Sequence, residues 1–208
     1  MLGQMQNHPL LISSVIDFAA RHQGDTEVVS RRVEGDIHRY TWADVQRRAK
    51  QVAKALDALG VKVGERVGTL AWNGYRHLEL YFGVSGSGRV LHTINPRLLP
   101  EQIAWIVNHA EDQVLCFDTT FLPIVQGIHA HCKTVKRWIA LCDEDKLPKD
   151  TGIPNLISYE AWIGQQSPDY TWPVFDENTA SSMCYTSGST VERWLYSAAL
   201  GWPVVPLV

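Results

Sequence analysis

Between residues 67 and 141, short apolar runs alternate with segments of helical periodicity, and that alternation constrains the fold more than any other feature of the chain. Residues 67–71, 90–94, 114–117 and 135–141 read as strands. Residues 75–84, 100–109 and 124–131 read as the helices between them. Pro100 suits the first helical position, where its missing N–H would be unpaired anyway. Strands alternating with helices favour an α/β domain with a mostly parallel sheet flanked by helices.

Upstream of this region, Leu11, Val15 and Phe18, flanked by Ile12, Ile16 and Ala19, repeat at helical spacing and predict a first amphipathic helix. Residues 27–33 and 37–40 read as two short strands around the turn Glu34-Gly35-Asp36. Thr41 and Asp44 form a capping box for a helix that places Trp42, Val45, Ala49, Val52, Leu56 and Leu59 on one face, with Gly60 closing it. Downstream, Pro, Gly and Asp thicken between 143 and 178, which predicts a long connection holding one short helix near 159–163. Residues 182–185 read as a further strand.

With 208 residues, the chain is long enough for one domain with a substantial core. Its 45% hydrophobic and 20% charged content fits a soluble globular protein. A net charge of −3 offers no cationic surplus, which argues against nucleic acid as a partner. The four cysteines form no C-x-x-C pair and read as reduced thiols, which predicts a cytoplasmic protein. Met1-Leu2-Gly3-Gln4 opens no signal peptide. The longest uncharged apolar run, from Trp194 to Val208, contains Pro203 and Pro206 and is shorter than the ~20 residues of a membrane span.

Several motifs have a structural reading that outweighs a chemical one. His129-Ala130-His131-Cys132 holds three metal-ligand types, but neighbours on a helix point apart, so a solvated helix end is expected. Gly83, Gly86 and Gly88 miss the G-x-G-x-x-G spacing and read as close packing of a helix end against a strand. Ser87 in place of a glycine spoils a G-x-S-x-G elbow. Arg31-Arg32 and Arg47-Arg48-Lys50 read as solvated faces. Arg76 and His77 follow a strand end where ligands often gather, yet pairing of the helix start with Glu79 or solvent is the simpler role. The tryptophans and Tyr81-Phe82 read mostly as core.

Thr186-Ser187-Gly188-Ser189-Thr190 carries the chemistry. Hydroxyls and backbone N–H groups around a glycine can meet phosphate oxygens, although composition alone also allows a polar surface turn. Tyr185 through Thr190 resembles the start of the phosphate-binding loop of the acyl-adenylate-forming, AMP-binding superfamily. Two longer stretches are similar to its medium- and long-chain fatty-acyl-CoA synthetases. One runs from Gly68-Thr69-Leu70-Ala71-Trp72-Asn73 to Arg76-His77-Leu78-Glu79-Leu80-Tyr81-Phe82. The other runs from Val90-Leu91-His92-Thr93-Ile94-Asn95-Pro96-Arg97-Leu98 to Asn108-His109-Ala110-Glu111-Asp112.

The resemblance implies the N-terminal subdomain of the adenylate-forming fold, incomplete, in a ligase that joins a fatty acid to CoA through an acyl-adenylate. It implies ATP, Mg2+ and CoA as cofactors and a fatty acid as substrate. Thr186, Ser187, Gly188, Ser189 and Thr190 would hold the nucleotide phosphates, with Thr190 near the phosphate-bound Mg2+. Where the family continues Gly-x-Pro-Lys-Gly, this chain has Val191-Glu192-Arg193-Trp194. Residues 1–190 therefore read as a partial AMP-binding domain, and 191–208 as an unrelated tail from a shifted reading frame that lacks helix or strand context. The family's metal-binding glutamate and catalytic lysine would lie beyond this chain, so no catalytic residue is assigned and no ligase activity is expected from it alone. Homo-oligomers or aggregates could form through an uncovered core face. Two alternatives stay open: an adenylating enzyme for aryl or amino acids, and a non-catalytic module that pairs with an intact ligase.

Overall fold

The computed structural model describes residues 3–4 and 8–185 together with the backbone of Leu195–Ala198. Helix α1 (Ile12–His22) leads into a hairpin of β1 (Glu27–Arg31) and β2 (Ile37–Thr41), paired in antiparallel register with Val29 opposite Arg39. Helix α2 (Trp42–Ala58) starts on the predicted capping box: Thr41 Oγ1 accepts from the Asp44 N–H at 3.3 Å, and the Thr41 N–H donates to Asp44 Oδ2 at 3.2 Å. Its predicted face is buried at Val45, Ala49, Val52 and Leu56, and Gly60 ends the helix with φ of +72°.

The alternation then runs β3 (Arg66–Leu70), α3 (Tyr75–Gly86), β4 (Val90–Thr93), α4 (Pro100–His109), β5 (Asp112–Phe117), α5 (Leu122–Ile128) and β6 (Arg137–Ala140). It continues as β7 (Leu156–Ser158), α6 (Tyr159–Gly164) and β8 (Ser182–Tyr185), with β9 (Leu195–Ala198) last. The sheet order is β7-β6-β5-β3-β4-β8-β9, parallel from β7 through β8, with β9 antiparallel against β8. Helices α2, α3 and α6 cover one face, where Val52, Leu56, Leu80 and Trp162 pack on Val67, Leu91 and Ile139. Helices α4 and α5 cover the other, where Ile103, Val107 and Val125 meet Leu70, Leu115 and Trp138. Such two-sided burial is what a parallel sheet requires.

Several expectations are corrected. Strand β7 lies inside the predicted irregular connection, held by parallel pairing to β6. Strand β1 stops at Arg31 rather than 33. The sequence predicts no strand in the tail, yet the backbone of Leu195–Ala198 pairs with β8. Val15 and Phe18 of α1 are exposed, and it is Ile16 that packs inward with Tyr40, Val45 and Tyr75. Trp72 and Trp105 are half-exposed rather than core. Gly83 packs against α2, not against a strand.

Candidate functional site

In an open α/β sheet, ligands gather where neighbouring strands send their connections to opposite faces. Here that switch point lies between the carboxyl ends of β3 and β5, because α3 carries the chain one way and α5 the other. The chain fills this crevice itself. Asp118, just past β5, accepts from the Trp72 N–H at 2.6 Å, and hairpin residues Ser30 to Val33 close over the top. What remains is a cavity of about 40 Å3 edged by Arg32, Asn73, Arg76 and Asp118, room for water but not for a nucleotide.

A charged web seals the plug. The Arg76 guanidinium donates to Glu160 at 2.9 Å, to Glu34 at 2.8 Å, to the Leu141 carbonyl at 2.9 Å and to Asp143. Arg48 donates to Glu79 at 2.8 Å and to Glu160 at 2.9 Å. Tyr159 Oη donates to Glu79, and Tyr75 Oη to Glu160, each at 2.8 Å. Arg76 thus meets neither Glu79 nor solvent, and Arg32 and Arg48 are not solvated: Arg32 bridges Asp36 and Asp143. Burial pushes the Glu79 carboxyl up, against the pull of Arg48. Burial also opposes the charge on Glu160, but Arg48, Arg76 and Tyr75 hold it below its ordinary value. Burial pushes the Asp118 carboxyl up to about 6, against the pull of the Trp72 N–H and of Arg76.

The predicted phosphate-binding residues follow β8 in the sequence. Strand β8 runs parallel to β4, with Leu91 opposite Ser182 and Thr93 opposite Cys184. It is tied at its start by the Leu91 N–H and Ser85 Oγ, which donate to the Ser181 carbonyl at 3.1 and 2.7 Å. The strand therefore delivers the chain to the carboxyl edge of the sheet directly ahead of Thr186, Ser187, Gly188, Ser189 and Thr190. Those five residues lie outside the described residues. Beside this edge, α3 and the hairpin enclose a groove of about 310 Å3 lined by Val28, Val29, Asn73, His77, Leu78 and Tyr81. His77 is a satisfied core histidine: its Nε2 lies 3.2 Å from Thr69 Oγ1, and burial lowers its pKa.

Sequence reasoning missed one buried pair altogether. His92 on β4 and Asp112 at the head of β5 are both fully buried, with Nδ1 2.8 and 3.0 Å from the two carboxylate oxygens. Burial raises the Asp112 pKa while His92 pulls it down, and the His92 Nε2 has no hydrogen-bond partner among the described residues. Nothing local signals this contact, since the two residues stand 20 apart. The hydrogen bond between Tyr185 and His109, across 76 residues, is equally invisible in the sequence.

The profile of the AMP-binding enzyme family matches residues 16–192. A 3-methylmercaptopropionyl-CoA ligase from Ruegeria lacuscaerulensis is 51% identical over 192 residues, covering 91% of this chain and 35% of that protein. A medium-chain-fatty-acid–CoA ligase from Ectopseudomonas oleovorans is 47% identical over 190 residues, with the same 91% and 35% coverage. The chain spans about a third of the length of these curated relatives. Among solved structures, the anthranilate CoA ligase AuaEII in complex with anthranoyl-AMP superposes with a TM-score of 0.78 at 20% identity, over 96% of this chain and 36% of that one. The N-terminal domain of FACL13 from Mycobacterium tuberculosis gives 0.75 at 20% identity, over 90% and 44%. At that identity the likeness speaks for the fold.

Proposed function

Because the chain belongs to the AMP-binding enzyme family, we propose that it supplies the N-terminal, phosphate-loop-bearing part of an ATP-dependent acid–CoA ligase acting on medium- or long-chain fatty acids or related carboxylic acids. The observation that carries this reading is the 51% identity to a 3-methylmercaptopropionyl-CoA ligase and the 47% identity to a medium-chain-fatty-acid–CoA ligase, each over nine-tenths of the chain. In the reaction, the carboxylate attacks the α-phosphorus of ATP and expels pyrophosphate. The CoA thiol then attacks the acyl carbon and expels AMP. An anion must approach a polyanion, so neutralising charge matters more than proton transfer.

In this reading, the four hydroxyls of Thr186, Ser187, Ser189 and Thr190, with the backbone N–H groups around Gly188, take the β- and γ-phosphate oxygens. Their donor chemistry fits phosphate and a hard cation, and Thr190 would be the hydroxyl beside Mg2+. Mg2+ would supply charge neutralisation at the phosphates. Strand β8 orients the loop, and the web around Arg76 keeps nucleotide out of the switch-point crevice. Residues 191–208 are read as a tail distinct from the domain of 1–190. All four cysteines are free thiols, which supports a cytoplasmic setting, and no described helix is long and apolar enough to cross a membrane.

The test joins residues 1–190 to the remaining sequence of the Ectopseudomonas relative and measures ATP–pyrophosphate exchange with Mg2+ and medium- to long-chain fatty acids. Exchange that falls in a Thr190→Ala version is the expected result. A folded chimera with no exchange on any fatty acid would count against the reading. The unextended chain is expected to show no exchange above its own Thr190→Ala control.

A further inference from the structure

The last residue of β8 is held in an aromatic joint on the α4 side of the sheet. Tyr185 Oη lies 2.6 Å from His109 Nδ1, at the end of α4. The His109 ring stacks on Trp105 at 4.6 Å and 14°, so its plane is set by a neighbour one helical turn earlier. Tyr185 stands edge-on to both rings, 5.8 Å from His109 and 6.2 Å from Trp105. From the strand side, the His92 ring meets Tyr185 at 5.4 Å, and His92 is itself fixed by Asp112. Two residues earlier, Met183 is buried against Val90 and Ala110 on the same side.

A loop that grips phosphate through N–H groups must leave its strand in a fixed direction, because those donors are worth most when preorganised. We infer that His109 is a positioning residue: its hydrogen bond to Tyr185, with its ring locked on Trp105, sets the point and angle at which β8 releases the chain into Thr186. This inference rests on the proposed phosphate-binding role of the following segment. His109 touches no reacting atom in this account and acts only through Tyr185.

The experiment uses the full chain in five forms: unsubstituted, Tyr185→Phe, His109→Leu, the double variant, and His109→Asn, whose amide reaches near the place of Nδ1. Amide exchange across β8 is expected to quicken on the order of tenfold in each single variant, as loss of one ordinary hydrogen bond implies. The double variant should go no further than the singles, because the two changes remove one shared contact. His109→Asn should restore protection, and β3 and β5 should stay protected throughout. Unchanged exchange in His109→Leu, or fully additive effects in the double variant, would overturn the inference. MgATP titrated onto the same proteins supplies a second arm. Weaker binding in the single variants and recovery in His109→Asn support positioning, whereas binding indifferent to a loosened β8 overturns it. If the unsubstituted chain takes up no MgATP, the exchange result alone decides whether His109 sets the end of β8, and the chimera decides the phosphate-loop reading.

Discussion

Gly83 of α3 sits so close to Val52 of α2 that a Cβ on the glycine would fall 2.6 Å from the valine side chain and 2.8 Å from the Ala49 carbonyl oxygen. The two helices touch through backbone, and this crossing closes the core on that face of the sheet. Alanine at 83 would gain about 1 kcal/mol of helix propensity, yet the overlap outweighs it. Gly83→Ala should destabilise the protein by about 1–3 kcal/mol, read from urea unfolding, and Val52→Ala in the same chain should not restore it, because the alanine Cβ and the Ala49 carbonyl oxygen still stand in the way. A Gly83→Ala protein as stable as its parent would show that the helices can separate at no cost.

Arg76 is nearly buried and meets three carboxylates, so removing it strands like charges in a dry place. Arg76→Ala is expected to cost on the order of 3–5 kcal/mol. The same denaturation curves check this, and a loss under about 1 kcal/mol would mean that water reaches the web freely.

Asp118 gives stability a pH dependence. Its carboxyl titrates near 6 in the folded chain against an ordinary value of 3.8, because burial penalises the anion. Between those values the folded state binds more protons than the unfolded one, so stability from this group falls as pH rises through the window and stays lower above it. Asp118→Asn mimics the protonated acid and can still accept from Trp72. Its unfolding free energy relative to the parent should improve by about 2–3 kcal/mol between pH 4 and pH 7. A constant difference across that range would refute the assignment.

Thr41→Ala removes one half of the α2 capping box and should cost about 1 kcal/mol. Asp44→Ala in the Thr41→Ala background should cost about 1 kcal/mol more, since the Thr41 N–H still donates to Asp44 once the hydroxyl is gone. Thermal melts of the parent and the two variants would show this, and a double variant as stable as Thr41→Ala would argue that the Asp44 half of the box contributes nothing.

The capping box and the buried face of α2 were legible because both depend on residues within one or two turns of each other. The parallel sheet followed from alternation, and the hydroxyl-rich segment after β8 stood out by composition. Helix α1 presents two adjacent apolar stripes, Leu11-Val15-Phe18 and Ile12-Ile16-Ala19, and periodicity cannot say which one meets α2 and α3. Contact with Tyr40, Val45 and Tyr75 selects Ile16. Strand β7 has only three residues and exists through its pairing with β6. The roles of Arg48 and Arg76 were hidden because Glu160 lies 112 and 84 residues away in sequence. Charge in a sequence looks solvated until the fold brings its partner.

The hairpin over the crevice between β3 and β5 acts as a resident competitor. A small molecule aimed at that crevice would have to evict Ser30 to Val33 and break ion pairs that are already desolvated, before making any contact of its own. Selectivity at this end of the sheet thus comes from occupancy rather than recognition. An inhibitor campaign would gain more from the open groove of about 310 Å3 beside His77 and Tyr81, where no described residue has to be displaced first.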